Sequence, residues 1–175
     1  MAFLIAATVL VGLLCCLNLI LLYGVIRRLR VHAEMLAGNP LPGAPAMIAA
    51  GDAVGDFNAR TVDGEELSRA EISDKTMVGF FSPSCESCKE KIPRFLELSR
   101  MRPGGRGQVL AVIVDDHDEA GEFVDELNPA ARVIVERYDG PVSKAFGTSA
   151  FPAMLTVTRD HHDRLVVETA QVGIS

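Results

Sequence analysis

Tryptophan is absent from the chain, and basic residues are outnumbered. The 17 Lys and Arg against 23 Asp and Glu leave a formal net charge of −6. No basic patch interleaved with aromatics exists, so the electrostatic footprint of a nucleic-acid binder is missing. Only four histidines occur. His161 and His162 are adjacent, read as a solvated turn, and lack zinc-finger spacing. Cysteine is equally scarce at four residues, and two of these, Cys15 and Cys16, are neighbours inside an apolar run. No Gly-rich phosphate loop, Ser/His/Asp arrangement, internal repeat or low-complexity tract is visible.

One absence is local. Between Ala2 and Ile26 there is no charge, and only Thr8 and Asn18 are clearly polar. This run exceeds the roughly 20 residues that cross a bilayer as a helix. A cleaved signal peptide would have a charged n-region and a shorter apolar core. The run therefore predicts one uncleaved transmembrane helix with Tyr23 at its interfacial end. Within it, Cys15 and Cys16 read as packing residues in lipid. The anchor and its juxtamembrane extension take residues 1–37. A Pro/Gly linker takes 38–50, and a globular domain 51–175. Arg27, Arg28 and Arg30 follow the helix, which by the positive-inside tendency argues for a cytoplasmic domain.

What the sequence does have is Cys85-Glu86-Ser87-Cys88, placed between the apolar run Met77–Phe81 and a helical pattern. The run reads as a buried strand stopped at Pro83, and Ile92, Phe95, Leu96 and Leu98 form an apolar stripe on the helix. A Cys-x-x-Cys between strand and helix is the sign of a redox dithiol. The thiolate is the attacking species, and the unpaired N–H groups of a helix's first turn stabilise an anion. Cys85 is thus the expected nucleophile and Cys88, one turn on, the resolving thiol. Glu86 sets a negative charge beside the sulfur, partly offset by Lys89 and Lys91, so a reducing role is expected. A half zinc site or a structural disulfide is the other reading of the pair. Glu90 is a candidate proton relay to Cys88, with an exposed ion-pair partner as the plainer reading.

Further along, Phe57–Leu67 reads as a hairpin turning at Asp63-Gly64. Val109–Val114, Val133–Val135 and Leu165–Val167 read as strands, and Ser149–Val157 as a turn into a strand. A helix is expected from His117 or Asp118, carrying Ala120, Phe123, Val124 and Leu127 inward, and a short one over Val142–Phe146. Asp115, Asp116, His117, Asp118 and Glu119 form an acidic cluster that suits a helix N-terminus better than a metal site. Asp160–Asp163 reads as a hairpin turn. Strands alternating with helices, then a terminal hairpin, imply an α/β fold with a mixed sheet flanked by helices.

With those residues in hand, the chain resembles the TlpA-like, or redoxin, branch of the thioredoxin superfamily. Phe81 to Lys89 looks like the corresponding segment of MauD-type membrane-anchored thiol–disulfide oxidoreductases. The resemblance implies a thioredoxin-like fold and no cofactor beyond the dithiol itself. It implies that Phe151-Pro152 is the cis-proline loop, offering the Phe151 backbone to substrate, and that Pro93 bends the active-site helix. Ser84 stands where many relatives have tryptophan. The implied activity is reduction or isomerisation of disulfides in a maturing partner protein, with another dithiol protein as electron donor. It also inclines the domain to the extracytoplasmic side, against the arginine flank. Two other activities fit the cysteines: a copper or zinc delivery module, and a peroxiredoxin-like peroxidase. The close spacing of Cys85 and Cys88 argues against the second.

Overall fold

The computed structural model describes Ile5, Gly12 and residues 48–148 and 150–172. The chain divides into two units, Met1–Leu41 and Pro42–Ser175. Ile5 and Gly12 are helical. The rest of the expected membrane anchor, with Cys15, Cys16, Tyr23 and the arginine flank, lies outside the described residues, as does the linker up to residue 47. Among the described residues no helix is long and apolar enough to cross a membrane.

The second unit begins with the expected hairpin. Strands β1 (Asn58–Arg60) and β2 (Glu66–Ser68) pair antiparallel in a sheet of their own. Gly64 at its tip has φ +84°, a conformation that side chains resist. The central sheet holds β3 (Thr76–Phe81), β4 (Val109–Val114), β5 (Arg132–Glu136), β6 (Ala153–Arg159) and β7 (Leu165–Val172). Their spatial order is β5-β4-β3-β6-β7. Strands β3, β4 and β5 are parallel, whereas β6 is antiparallel to both β3 and β7. Parallel neighbours require a crossover. Helices α1 (Glu86–Arg100) and α2 (Gly121–Leu127) provide these, and the short α3 (Pro141–Ala145) precedes the turn into β6.

Every residue of β3 and β4 is buried, because packed layers cover both faces. Alternation along β3 sends Val78 and Phe80 into one core with Phe57, Val112, Phe146 and Leu155. It sends Met77 and Phe81 into the other, against Ile92 and Phe95 of α1 and Phe123 and Leu127 of α2. Each fully buried Phe or Leu contributes about 1.5–3 kcal/mol relative to exposure.

Two expectations need correction. The buried stripe of α1 is Cys88, Ile92, Phe95 and Ser99. Leu96 and Leu98 are only half-buried, because the three- and four-residue steps from Cys88 lead to Ser99 and leave both leucines at the stripe's margins. Between α1 and β4, Gly105–Gln108 form a turn of 3₁₀ helix. Helix α2 starts at Gly121, later than expected. The carboxylate of Asp115 accepts the N–H groups of His117 (2.9 Å) and Ala120 (2.7 Å), and Asp118 takes φ +60°. The acidic cluster is therefore a carboxylate-braced loop, not the first turn of a helix.

Asp160-His161-His162-Asp163 is the hairpin turn between β6 and β7. Asp160 accepts the N–H groups of Arg164 (2.9 Å) and His162 (2.8 Å). Those bonds, that of Arg164 first, hold its carboxyl at about 2. Both histidines are exposed.

Gly79 is required by close approach. A Cβ there would lie 2.6 Å from Cε2 of Phe95 and 2.7 Å from Cε2 of Phe81. Those two rings meet edge-on, with centroids 5.2 Å apart. The substitution Gly79→Ala is expected to destabilise the domain by about 1–3 kcal/mol through overpacking, read as a lower denaturation midpoint with an unchanged slope.

Candidate active site

Sheet register brings four segments to one end of the molecule. Phe80 is paired with Ala153 on one side and Val112 on the other, and Val114 with Glu136. The carboxyl ends of β3, β4 and β5 and the amino end of β6 are therefore neighbours. From them run Ser82–Cys85, Asp115–Glu119, Arg137–Tyr138 and, leading into β6, Phe151–Pro152. Carboxyl ends of parallel strands are where α/β folds gather their sites.

Cys85 is the residue capping α1, with φ −99° and ψ 107°, and its side chain makes no capping hydrogen bond to the helix backbone. The thiol thus sits at the first turn of the helix, where backbone N–H groups have no intrahelical partner. The Cys85 N–H donates to the Ser82 carbonyl (3.1 Å), and the Cys88 N–H to the Cys85 carbonyl (3.0 Å). Cys85 Sγ lies 3.2 Å from Ser87 Oγ, and its thiol donates to the Phe151 carbonyl at 3.5 Å. Both cysteines are free thiols, Cys85 half-buried and Cys88 buried. The Phe151–Pro152 peptide is cis and Pro152 is buried. The four residues singled out from the sequence, Cys85, Cys88, Phe151 and Pro152, therefore meet in one place.

The two thiols differ in environment. Burial pushes the Cys88 thiol far up, and its hydrogen bond with the Cys85 side chain pushes it the same way, against an opposing backbone bond from Ser82. Cys88 is consequently a neutral thiol at physiological pH, packed among Phe81, Ile92 and Phe95. Glu90 and Lys89 are exposed on the outside of α1.

Cys85 opens on a cleft of about 300 Å³ lined by Ser82, Ser84, Val114, Asp115, Asp116, His117, Glu119, Tyr138 and Phe151. Burial pushes the Asp115 carboxyl up, but the N–H groups of His117, Ala120 and Glu119 outweigh it, leaving it below the ordinary range. It is an anion serving its own loop. Among the described residues no group of three or more His, Cys, Asp or Glu is arranged to hold a metal ion. Zinc usually takes four donors, and among the described residues the dithiol has no second ligand pair of the kind a structural site needs.

Sequence reasoning missed Tyr138. It lies two residues beyond β5, at the same sheet end as Cys85, and that position was the available signal. Its N–H donates to Asp116 Oδ1 (3.1 Å), and Arg137 Nη1 donates to the Asp116 carbonyl (2.8 Å). The acidic loop thereby fixes the segment that carries the tyrosine.

A helix-capping thiol over a buried thiol, beside a cis-proline loop, on a mixed sheet, defines an enzyme of the thiol–disulfide oxidoreductase class. Residues 50–162 match the AhpC/TSA family, and the chain belongs to that family. Among curated proteins none matches the chain. The fold is similar to a thio-disulfide isomerase from Thermus thermophilus, 17% identical with a TM-score of 0.51 over 73% of this chain and 89% of that one. It is also similar to the thioredoxin domain of a thiol-disulfide oxidoreductase from Bacteroides vulgatus, 18% identical with a TM-score of 0.53 over 69% and 87%. A thiol:disulfide interchange protein from Bacteroides sp. is 14% identical, with a TM-score of 0.54 over 71% and 82%. At these identities the likeness defines the fold, which is thioredoxin-like.

The difference between the two thiols has a chemical readout. Brief iodoacetamide treatment of the reduced, folded chain near pH 7 is expected to alkylate Cys85 and leave Cys88 unmodified until the protein is unfolded. Mass spectrometry of the digested protein checks this.

Proposed function

We propose that the chain is a membrane-anchored thiol–disulfide oxidoreductase of the TlpA-like branch, similar to MauD-type proteins. It reduces or isomerises disulfides of a partner protein during that protein's maturation. The observation that carries this reading is the half-buried Cys85 sulfur facing the Phe151 carbonyl, with a buried second thiol in hydrogen-bond contact beneath it.

Cys85, as thiolate, attacks one sulfur of the client disulfide. The client S–S bond breaks, a Cys85–client mixed disulfide forms, and the released client thiolate takes a proton. Cys88 then gives up its proton and attacks Cys85 Sγ. The second client thiolate leaves and is protonated, and Cys85 and Cys88 remain as a disulfide. Two electrons pass from the dithiol to the client, and a donor dithiol protein restores them. In isomerisation a client thiol displaces Cys85 instead, with no net electron transfer. No cofactor takes part. Pro152 and the Phe151 backbone line the position of the client strand.

A peroxidase would polarise its sulfur with threonine and arginine side chains. Among the described residues the hydrogen-bond partners of Cys85 Sγ are Ser87, Phe151 and the neighbouring Cys88. The uncharged run Ala2–Ile26 supports anchoring in a membrane. In this reading the domain lies on the extracytoplasmic side, where protein disulfides persist, and the arginine flank is juxtamembrane on that face.

Insulin reduction by the full chain with dithiothreitol as donor is expected to fall to background in Cys85→Ser. When reduced Cys88→Ser, freed of dithiothreitol, is mixed with insulin, a covalent complex is expected to accumulate on non-reducing gels and to vanish once reductant is added. Activity retained in Cys85→Ser would overturn the proposal. In intact cells, a membrane-impermeant maleimide is expected to label Cys85; labelling only after lysis would put the domain in the cytoplasm.

A further inference from the structure

The sequence gives the dithiol no tryptophan neighbour, with Ser84 in that place, yet the cleft has an aromatic wall from another strand. Tyr138 is 54% exposed and, with Phe151 and Val114, forms the apolar part of the lining around Cys85. An exposed aromatic is unremarkable alone. The backbone that carries this one is held in place: Asp116 accepts the Tyr138 N–H, and Arg137 is anchored both to the Asp116 carbonyl and, at 3.6 Å, to Asp118. Tyrosine is a residue of low conformational cost for contact surfaces, combining a broad apolar ring with a polar tip. Two of the cleft's carboxylates are already engaged by backbone. Both Asp115 oxygens are occupied by backbone N–H groups, and one Asp116 oxygen by Tyr138 itself.

We infer that Tyr138 is the specificity-determining residue of the dithiol cleft. It selects polypeptide disulfides that carry an apolar side chain next to the reacting cysteine. This rests on the oxidoreductase reading above. When Cys85 attacks the client sulfur and the client S–S bond breaks, the mixed disulfide tethers the client at the cleft floor. The flanking client side chain then packs between Tyr138 and Phe151. The carboxylates of Asp116 and Glu119 at the rim disfavour acidic flanks.

The test uses the full chain, with dithiothreitol as donor, and two probes: a disulfide-linked pair of short neutral peptides with leucine next to each cysteine, and the same pair with glycine there. The leucine probe is expected to have a kcat/KM about tenfold higher, carried by KM, the scale of partly burying one aliphatic side chain. In Tyr138→Ala that ratio is expected to fall to about one; in Tyr138→Phe, which keeps the ring, it is expected to persist. Tyr138 is exposed, so truncation removes little from the core, and circular dichroism checks the fold. An unchanged ratio in Tyr138→Ala, an equal loss on both probes, or no preference in the native chain would each overturn the inference while leaving the dithiol chemistry intact. If the native chain reduces neither probe, and does not reduce insulin, the oxidoreductase reading itself falls and this one with it.

Discussion

The site depends on one constraint: β3 has no exposed residue and is paired on both edges. Its two parallel and antiparallel registers leave no freedom in where the strand ends. Because Phe80 sits opposite Ala153, the chain entering β6 must pass the end of β3, and the chain leaving β3 must turn into α1 beside it. The contact between Cys85 and the Phe151 carbonyl spans 66 positions in sequence. It is a consequence of sheet register, and neither loop would fix it alone. A one-residue slip of β6 would turn Leu155 and Val157 away from their core, so hydrophobic burial enforces the chemistry's geometry.

Much of this was legible in the sequence because the signals were local. The runs Met77–Phe81 and Val109–Val114 are apolar throughout, as a strand covered on both faces requires. The paired cysteines between strand and helix mark the site in the sequence itself. What stayed hidden depended on long-range partners. Asp115 through Glu119 read as the charged opening of a helix, yet the Asp115 carboxylate captures the backbone N–H groups and delays the helix to Gly121. A side chain that bonds its own loop offers the backbone an alternative that composition does not reveal. Tyr138 was invisible for a related reason. Its importance comes from the parallel pairing of β4 with β5, which carries it to the dithiol, and nothing in its immediate sequence signals that.

The acidic loop accordingly has a structural task distinct from metal binding. Its first carboxylate is consumed in bracing residues 117–120, and its second accepts the Tyr138 N–H. Charge that looks like a ligand set in one dimension is largely satisfied by backbone in three. The same holds for Glu136 at the end of β5, buried and accepting from Val142, Ser143 and the Ser143 hydroxyl. Those bonds satisfy N–H groups at the start of α3, a helix too short to sustain itself.

The burial of Cys88 has a kinetic corollary for the proposed chemistry. With the inner sulfur sealed behind Phe81, Ile92 and Phe95, both half-reactions must pass through the single outer sulfur. A client and an electron donor therefore share one doorway and exclude each other from it. No ternary complex forms, and turnover follows a ping-pong scheme in which an excess of either party obstructs the other.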